Sequence, residues 1–175
     1  EAILFPDYLV TLGGGPTDAA SRAQLPEAIA GEAPVKVLLE TSDPFGLGGH
    51  LATTAMGLGG AFVLQAPVAH LYQVRDHIRA ALEYGGPALI SVFNGAFAGA
   101  AGLPPYLVSA AALESRVFPA FAYDPSAGTG WAERLELVDN PQPEVAWPVH
   151  DLAYSDAKLA RVTEQVTVTP LDLAL

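Results

Sequence analysis

The sequence predicts an α/β fold with a mainly parallel sheet and helices on both faces. Residues 8–123 alternate short apolar runs with longer amphipathic stretches, a pattern typical of strands joined by crossover helices. The chain has 175 residues, of which 51% are hydrophobic and 15% are charged, so it can bury a substantial core. We divide it into an α/β domain at residues 1–123 and an extended tail at residues 124–175.

Five apolar runs predict strands, and three amphipathic stretches predict helices. We expect strands at 8–12, 35–40, 60–66, 88–93 and 118–123, and helices at 18–30, 71–84 and 106–115. The carboxyl ends of parallel strands lie at one edge of a sheet, where such sheets bind ligands. The loops that follow Leu12 and Leu39 are therefore expected to meet at that edge.

The tail differs in composition from the domain, being rich in proline and glycine near its start. Prolines at 141, 143 and 148 exclude a helix around them. We expect an irregular strap whose Trp131 and Trp147 rings pack on the domain or on a neighbouring subunit. Beyond the strap, we expect a short helix at 156–165 and a strand at 166–175.

The net charge is −11, from eight Lys and Arg against nineteen Asp and Glu. Because every phosphate contact needs a cation, this balance argues against nucleic acid and anionic membranes as partners. No stretch approaches the roughly 18 uninterrupted apolar residues of a membrane helix. We expect a soluble, cytoplasmic protein. Since the chain opens on Glu1 rather than Met, we also expect it to be a segment of a longer polypeptide.

The most informative segment is 35–50, VKVLLETSDPFGLGGH, where an apolar strand runs directly into a glycine-rich loop. A second glycine cluster, Gly13-Gly14-Gly15, follows the first predicted strand. Such clusters can be simple tight turns, because glycine tolerates positive φ and close backbone approach. Neither cluster is followed by the well-placed acid of a dinucleotide fingerprint, so an NAD site is a weak competitor.

Together with the segment GPALI at 86–90, these motifs resemble the C-terminal thiamine-diphosphate-binding region of pyruvate:ferredoxin oxidoreductases and related 2-oxoacid:ferredoxin oxidoreductases. GPALI is similar to the family's GPSLI strand. RVFPAFAYDP at 116–125 is similar to its GYWPLYRYDP segment, and 135–141 stands where the family has an FQLDSK-type stretch. The resemblance implies a thiamine-diphosphate-binding fold.

In that family, an Asp in a Gly-Asp-Gly turn and groups in the next loop bind Mg²⁺, which bridges two diphosphate oxygens. Mg²⁺ needs oxygen ligands. Here Gly14 stands at the position of that Asp, so a charged ligand is missing. Thr41 retains the hydroxyl ligand position, and Asp43 stands where a backbone carbonyl would ligate. The resemblance therefore assigns metal binding to Thr41 and Asp43, with the Asp43 carboxylate as a candidate replacement ligand.

The same resemblance assigns cofactor contacts to the residues of both loops, although several polar contacts are lost. Gly46 replaces an asparagine that approaches the diphosphate, and His50 replaces a glutamine. The assigned cofactor-binding positions are Gly13, Gly14, Gly15, Thr41, Gly46, Gly48, Gly49 and His50. We expect binding of thiamine diphosphate and Mg²⁺ to be weak or lost.

Ala96 stands where family members place a cysteine that binds an iron–sulfur cluster, and the chain contains no cysteine at all. We therefore expect no cluster to be held by this chain. His50, His70, His77 and His150 lack the spacing and flanking carboxylates of a zinc site. His50 alone lies in the loop of cofactor type, and no catalytic residue is assigned.

Two functions follow from the resemblance. The first is a pseudo-enzyme domain, mainly structural, in an oligomeric redox protein like the 2-oxoacid:ferredoxin oxidoreductases. Its partners would be other domains or subunits of that complex, ferredoxin-like iron–sulfur proteins among them. The alternative is an active domain that uses thiamine diphosphate to decarboxylate a 2-oxoacid such as pyruvate oxidatively, with electron transfer to ferredoxin.

Overall fold

Six strands form the main sheet of the protein. The computed structural model describes residues 9–12, 19–100 and 102–174. The strands are β1 Leu9–Leu12, β2 Lys36–Thr41, β3 Phe62–Pro67, β4 Ala88–Phe93, β5 Phe121–Tyr123 and β6 Leu135–Glu136. They are ordered β1-β2-β4-β3-β5-β6 across the sheet. The first four in this order run parallel, whereas β5 is antiparallel to both of its neighbours. A mainly parallel sheet is thus confirmed, while the fifth predicted strand is shorter than expected and antiparallel.

Six α-helices accompany these strands in the described residues. They are α1 Ala19–Ala30, α2 Leu47–Leu58, α3 Arg75–Glu83, α4 Pro105–Glu114, α5 Trp131–Arg134 and α6 Pro170–Ala174. The predicted helices at 18–30 and 106–115 are confirmed within a residue. The third is shorter than predicted, because Val68–His70 form a 3-10 helix and a turn precedes Arg75. Helix α2 was not predicted from the sequence.

Helices cover both faces of the sheet, as predicted. On one face, Val37 and Leu39 pack with Leu25 of α1 and with Leu51 and Ala52 of α2. On the other face, Leu64 and Ile90 belong to a buried cluster with Val74 and Ala81 at α3. The central strands β3 and β4 are buried along their whole length, which explains why they read as continuous apolar runs. No described helix is both long and apolar enough to cross a membrane.

The first part of the tail is tied to the domain by side-chain bonds to its backbone. Asn140 donates to the Ala120 carbonyl and accepts from the Ala120 amide, the latter at 3.0 Å. Arg116 donates to the carbonyls of Pro141 and Gln142. The chain around these prolines is thus irregular and bonded to the domain, whereas α5 and β6 give regular structure to part of the predicted strap, with β6 in the main sheet. The Trp131 ring packs on Tyr123 at 5.2 Å between centroids, yet both indoles stay about half exposed.

The second part of the tail corrects the prediction. Strands β7 Val149–Ser155 and β8 Arg161–Thr167 form an antiparallel hairpin, so the helix expected at 156–165 is wrong. Asp156 causes the turn, because its carboxylate accepts from the amides of Lys158 and Ala160. The strand expected at 166–175 holds only to Thr167, and α6 follows it. Leu173 of α6 returns the chain to a buried cluster that contains Phe93 and Phe118.

The turn after strand β2 as the candidate functional site

The candidate site lies at the carboxyl edge of the parallel strands. β1 and β2 are parallel neighbours, with Leu12 paired to Leu39, so the two strands end at the same edge. Gly13, Gly14 and Gly15 lie outside the described residues. The structure thus brings the ends of the two strands together and describes the second of the two predicted loops.

Thr41 ends β2 and is 2% exposed. Its hydroxyl donates to the carbonyl of Asp43 at 3.1 Å and accepts from the amide of Asp43 at 3.2 Å. A hydroxyl has one proton to donate, and here that proton is directed at the chain's own backbone. Thr41 therefore closes a tight turn at the place where the resemblance assigns a metal ligand.

Asp43 is exposed at the outer side of this turn. Its Oδ1 atom accepts from the amides of Phe45 at 3.1 Å and of Gly46 at 2.9 Å. These amides immediately precede α2, where the positive end of the helix dipole favours an anion. The Asp43 carboxylate consequently occupies the place at which an external diphosphate would meet the start of α2.

Helix α2 corrects the interpretation of the glycine-rich loop, because Gly48, Gly49 and His50 all belong to its first turn. A Cβ on Gly48 would lie 2.5 Å from Thr41 Oγ1, and one on Gly49 would lie 2.1 Å from the Pro44 carbonyl oxygen. Such distances are far below van der Waals contact. The two glycines let the helix pack closely on the turn, which the sequence alone presented as a cofactor loop.

Gly46 also approaches the turn closely, because a Cβ there would lie 2.2 Å from Asp43 Oδ2. That contact is with the end of an exposed side chain, whereas the one at Gly49 is with backbone. The side chain of His50 is exposed on α2, and only its backbone carbonyl has a bond to a side chain, that of Thr54. Of the predicted cofactor positions, Thr41, Gly46, Gly48 and Gly49 are thus brought together around Asp43.

A second polar pair at the same edge was not predicted. Asn94, which follows β4, donates from Nδ2 to Glu40 Oε1 at 2.7 Å and from its amide to the Thr41 carbonyl at 3.0 Å. Its Oδ1 accepts from the amide of Ala96 at 2.9 Å. The only signal in the sequence was an Asn-Gly pair at the end of an apolar run, which is typical of turns.

Beside this pair, a groove of about 280 Å³ lies on the α3 face of the sheet. Its walls are mainly apolar, and its polar groups are Glu40 and Asn94; the other lining residues are Leu38, Val68, Leu71 and Val92. Glu40 and Thr41 are successive residues of β2 and point to opposite faces. The groove and the Thr41 turn are therefore separate features, and the carboxylate at the groove opposes an anionic ligand.

Part of the turn's donor set is already used within the turn. The Thr41 hydroxyl and Asp43 Oδ1 are hydrogen-bonded there, and Asp43 Oδ1 holds two amides that a phosphate would otherwise bind, whereas Asp43 Oδ2 has no hydrogen bond to the described residues. Among the described residues, no three His, Asp or Glu side chains are grouped closely enough to hold a metal ion.

The other histidines lie away from this edge or are occupied elsewhere. His77 pairs with Glu136 at 3.8 Å, and His150 with Glu114 at 2.9 Å. His70 is buried in the 3-10 helix, and its Nε2 has no hydrogen-bond partner among the described residues. The structure thus gives none of them a shared site with His50.

Comparison of the sequence with known proteins identifies no relative. The sequence matches no protein-family model and no curated protein.

Proposed function

We propose that this chain is a structural pseudo-enzyme domain of a redox protein similar to the 2-oxoacid:ferredoxin oxidoreductases, with a degenerate thiamine diphosphate site. The segments that resemble that family occupy related places in one sheet. They are β2 with its turn, β4, and the run into β5. A mainly parallel sheet with a glycine-dependent turn at its carboxyl edge supports descent from a cofactor-binding domain.

One observation carries the loss of the cofactor site, namely the closed turn between Thr41 and Gly46. The two side chains that could ligate Mg²⁺ are bonded to the turn's own backbone. A diphosphate that bound these two exposed amides would have to displace Asp43 Oδ1 from them.

Charge supports the same proposal. The turn contains Asp43, the neighbouring strand position contains Glu40, and the whole chain has a net charge of −11. The sequence has glycine at position 14, where the family's metal-binding carboxylate would stand. Without the cation that this carboxylate helps to hold, the negative charge of a diphosphate is uncompensated.

The alternative is an active domain that uses thiamine diphosphate for oxidative decarboxylation of a 2-oxoacid. The observation in its favour is that Thr41 and Asp43 do lie together at the carboxyl edge, beside the end of β1. In that case Asp43 Oδ2, which takes no part in the bonds to Phe45 and Gly46, would be the oxygen that reaches a metal ion.

Isothermal titration calorimetry on the 175-residue chain distinguishes the two proposals. With thiamine diphosphate and Mg²⁺, we expect no saturable, Mg²⁺-dependent heat from the wild type at concentrations that saturate active relatives. Gly14→Asp returns the missing carboxylate and is expected to gain such binding. Gln73→Glu, at an exposed position before α3, adds one negative charge outside the turn and is the control for the change of charge alone. Tight wild-type binding that Thr41→Ala abolishes would overturn the pseudo-enzyme proposal.

A further inference from the structure

The β7–β8 hairpin stands outside the core of the domain. No residue of either strand is buried, and Val149, Leu152 and Tyr154 are among the exposed large apolar side chains. A two-stranded hairpin with neither face covered is only marginally stable in water. This observation involves none of the residues of the Thr41 turn and does not depend on the cofactor proposal.

The alternation of hydrogen-bonded and non-hydrogen-bonded pairs in the hairpin shows which backbone groups of β7 point away from β8. The amide of Asp156 donates to the carbonyl of Ala160 at 3.0 Å, which fixes the pairing next to the turn. Since bonded and non-bonded pairs alternate along an antiparallel ladder, every second residue of β7 points its amide and carbonyl away from β8. These residues are Val149, Asp151, Ala153 and Ser155.

The side chain of Gln142 bonds to the outward amide and carbonyl of Val149, in agreement with this alternation, and covers one end of the outer edge of β7. It accepts from the Val149 amide at 3.2 Å and donates to the Val149 carbonyl at 3.0 Å. Asp151, Ala153 and Ser155 follow, and within the described part of the chain β7 pairs with β8 alone. The open edge is therefore short, regular and bounded by Gln142 on one side and by the turn at Asp156 on the other.

We propose that this edge pairs with the same edge of a second copy of the chain, antiparallel about a two-fold axis at Ala153. This register uses the three open residues on each strand. It places Asp151 opposite Ser155 of the partner subunit, whose hydroxyl can donate to the carboxylate. It also places Leu152 opposite Tyr154 of the partner subunit, an apolar and aromatic pair of the kind that stabilises sheets. The product is a four-stranded sheet with an isologous interface.

The outer edge of β8 is less suited to self-pairing. Its outward groups belong to Arg161, Thr163, Gln165 and Thr167. In the three registers centred on residues 163, 164 and 165, Glu164 comes opposite Val162, Glu164 or Val166 of the partner subunit. Each arrangement sets a carboxylate against a like charge or an apolar side chain. The β7 edge has no such conflict.

Charge also favours the hairpin as the place where two copies meet. A net charge of −11 makes two copies repel over most of their surface. Residues 149–167 contain three acidic and two basic side chains, so this arm is nearly neutral. Two copies that meet through this arm therefore add little charge repulsion at their interface.

Sedimentation equilibrium of the 175-residue chain tests the proposal. We expect a reversible monomer–dimer equilibrium in the wild type. Ala153→Pro removes an outward amide at the centre of the proposed pairing and leaves the bonds between β7 and β8 in place, so this variant should be monomeric. The matched control is Thr163→Pro, because Thr163 is paired with Ala153 and points its amide to the opposite edge. The control should dimerise like the wild type.

Disulfide trapping gives a second test that does not require proline to be tolerated. The chain has no cysteine, so a single introduced cysteine reports on one position. Ala153→Cys should form a covalent dimer under mild oxidation, because paired residues in antiparallel strands lie within disulfide range. Thr163→Cys should stay monomeric. A wild type that is monomeric at all accessible concentrations, a dimer that survives Ala153→Pro without trapping at 153, or equal trapping at 163 would each overturn the proposal.

Discussion

Lys36 Nζ donates a hydrogen bond to the carbonyl oxygen of Gly86 at 2.8 Å, from a side chain that is 1% exposed. Nζ also donates to the backbone carbonyl of Tyr84 and lies 5.8 Å from the centroid of the Tyr84 ring. A buried ammonium group is tolerated only where hydrogen bonds replace its lost hydration. Lys36 thus joins the start of β2 to the connection between α3 and β4.

Replacing Lys36 should weaken the domain measurably. Lys36→Met keeps a long side chain but leaves the carbonyls of Tyr84 and Gly86 without their donor, so we expect the free energy of unfolding to fall by about 2 kcal/mol. Urea denaturation of the two proteins measures this change. Lys158→Met, at the exposed turn of the hairpin, is the control and should lie within about 0.5 kcal/mol of the wild type. An unchanged free energy of unfolding in Lys36→Met would contradict a stabilising role for these two hydrogen bonds.

Two glycines of α2 should respond to alanine in opposite directions. At Gly49, a Cβ would meet the Pro44 carbonyl oxygen at 2.1 Å, so Gly49→Ala should destabilise the domain by about 2 kcal/mol. At Gly57, which is exposed, a Cβ meets nothing within 4 Å. Gly57→Ala should therefore stabilise it by about 1 kcal/mol, because alanine loses less conformational entropy in a helix. Thermal or urea unfolding measures the free energy of unfolding of both variants. An equal decrease in the two would contradict the close packing at Gly49.

The stability of the tail should depend on pH through Glu133. The carboxylate accepts from the amides of Gly130 and Thr129, and these bonds hold the pKa of Glu133 below its usual value of 4.5. A depressed pKa contributes stability that is present above the unfolded value and is lost as the pH falls through the folded value. Glu133→Gln should therefore flatten the acid limb of the stability profile. An NMR titration of Glu133 with a midpoint at or above 4.5 would contradict this.

The central sheet was predictable because β3 and β4 are buried along their whole length. Both are near-continuous apolar runs, interrupted only by Gln65 and Ser91, and such runs leave few other interpretations. The sequence contains no comparable information on strand order or on the direction of β5. Those depend on which faces the helices cover, and hence on contacts between residues far apart in the chain.

The place of the loop after β2, at the carboxyl edge of the sheet, was predictable, whereas a ligand site there stays a prediction. Thr41 and Asp43 lie in that loop, and their hydrogen bonds to the turn depend on backbone conformation that no motif encodes. Helix α2 was missed because its first turn contains Gly48 and Gly49, which disfavour helices intrinsically. Tertiary packing against Thr41 and Pro44 overrides that propensity. The helix expected at 156–165 is wrong because local hydrogen bonds decide the structure there: the Asp156 carboxylate bonds to nearby amides and starts a hairpin turn.

The hairpin leaves and re-enters the domain at nearly one point, because Val149 and Thr167 are paired across its base. Asn140 anchors the chain before the hairpin, and Leu173 anchors it afterwards. Replacing residues 149–167 by a short turn would thus change the loop-closure entropy by little, since that cost grows only logarithmically with loop length. In evolutionary terms, this arm is a module that the domain can gain, lose or exchange as a single insertion while the sheet keeps its core.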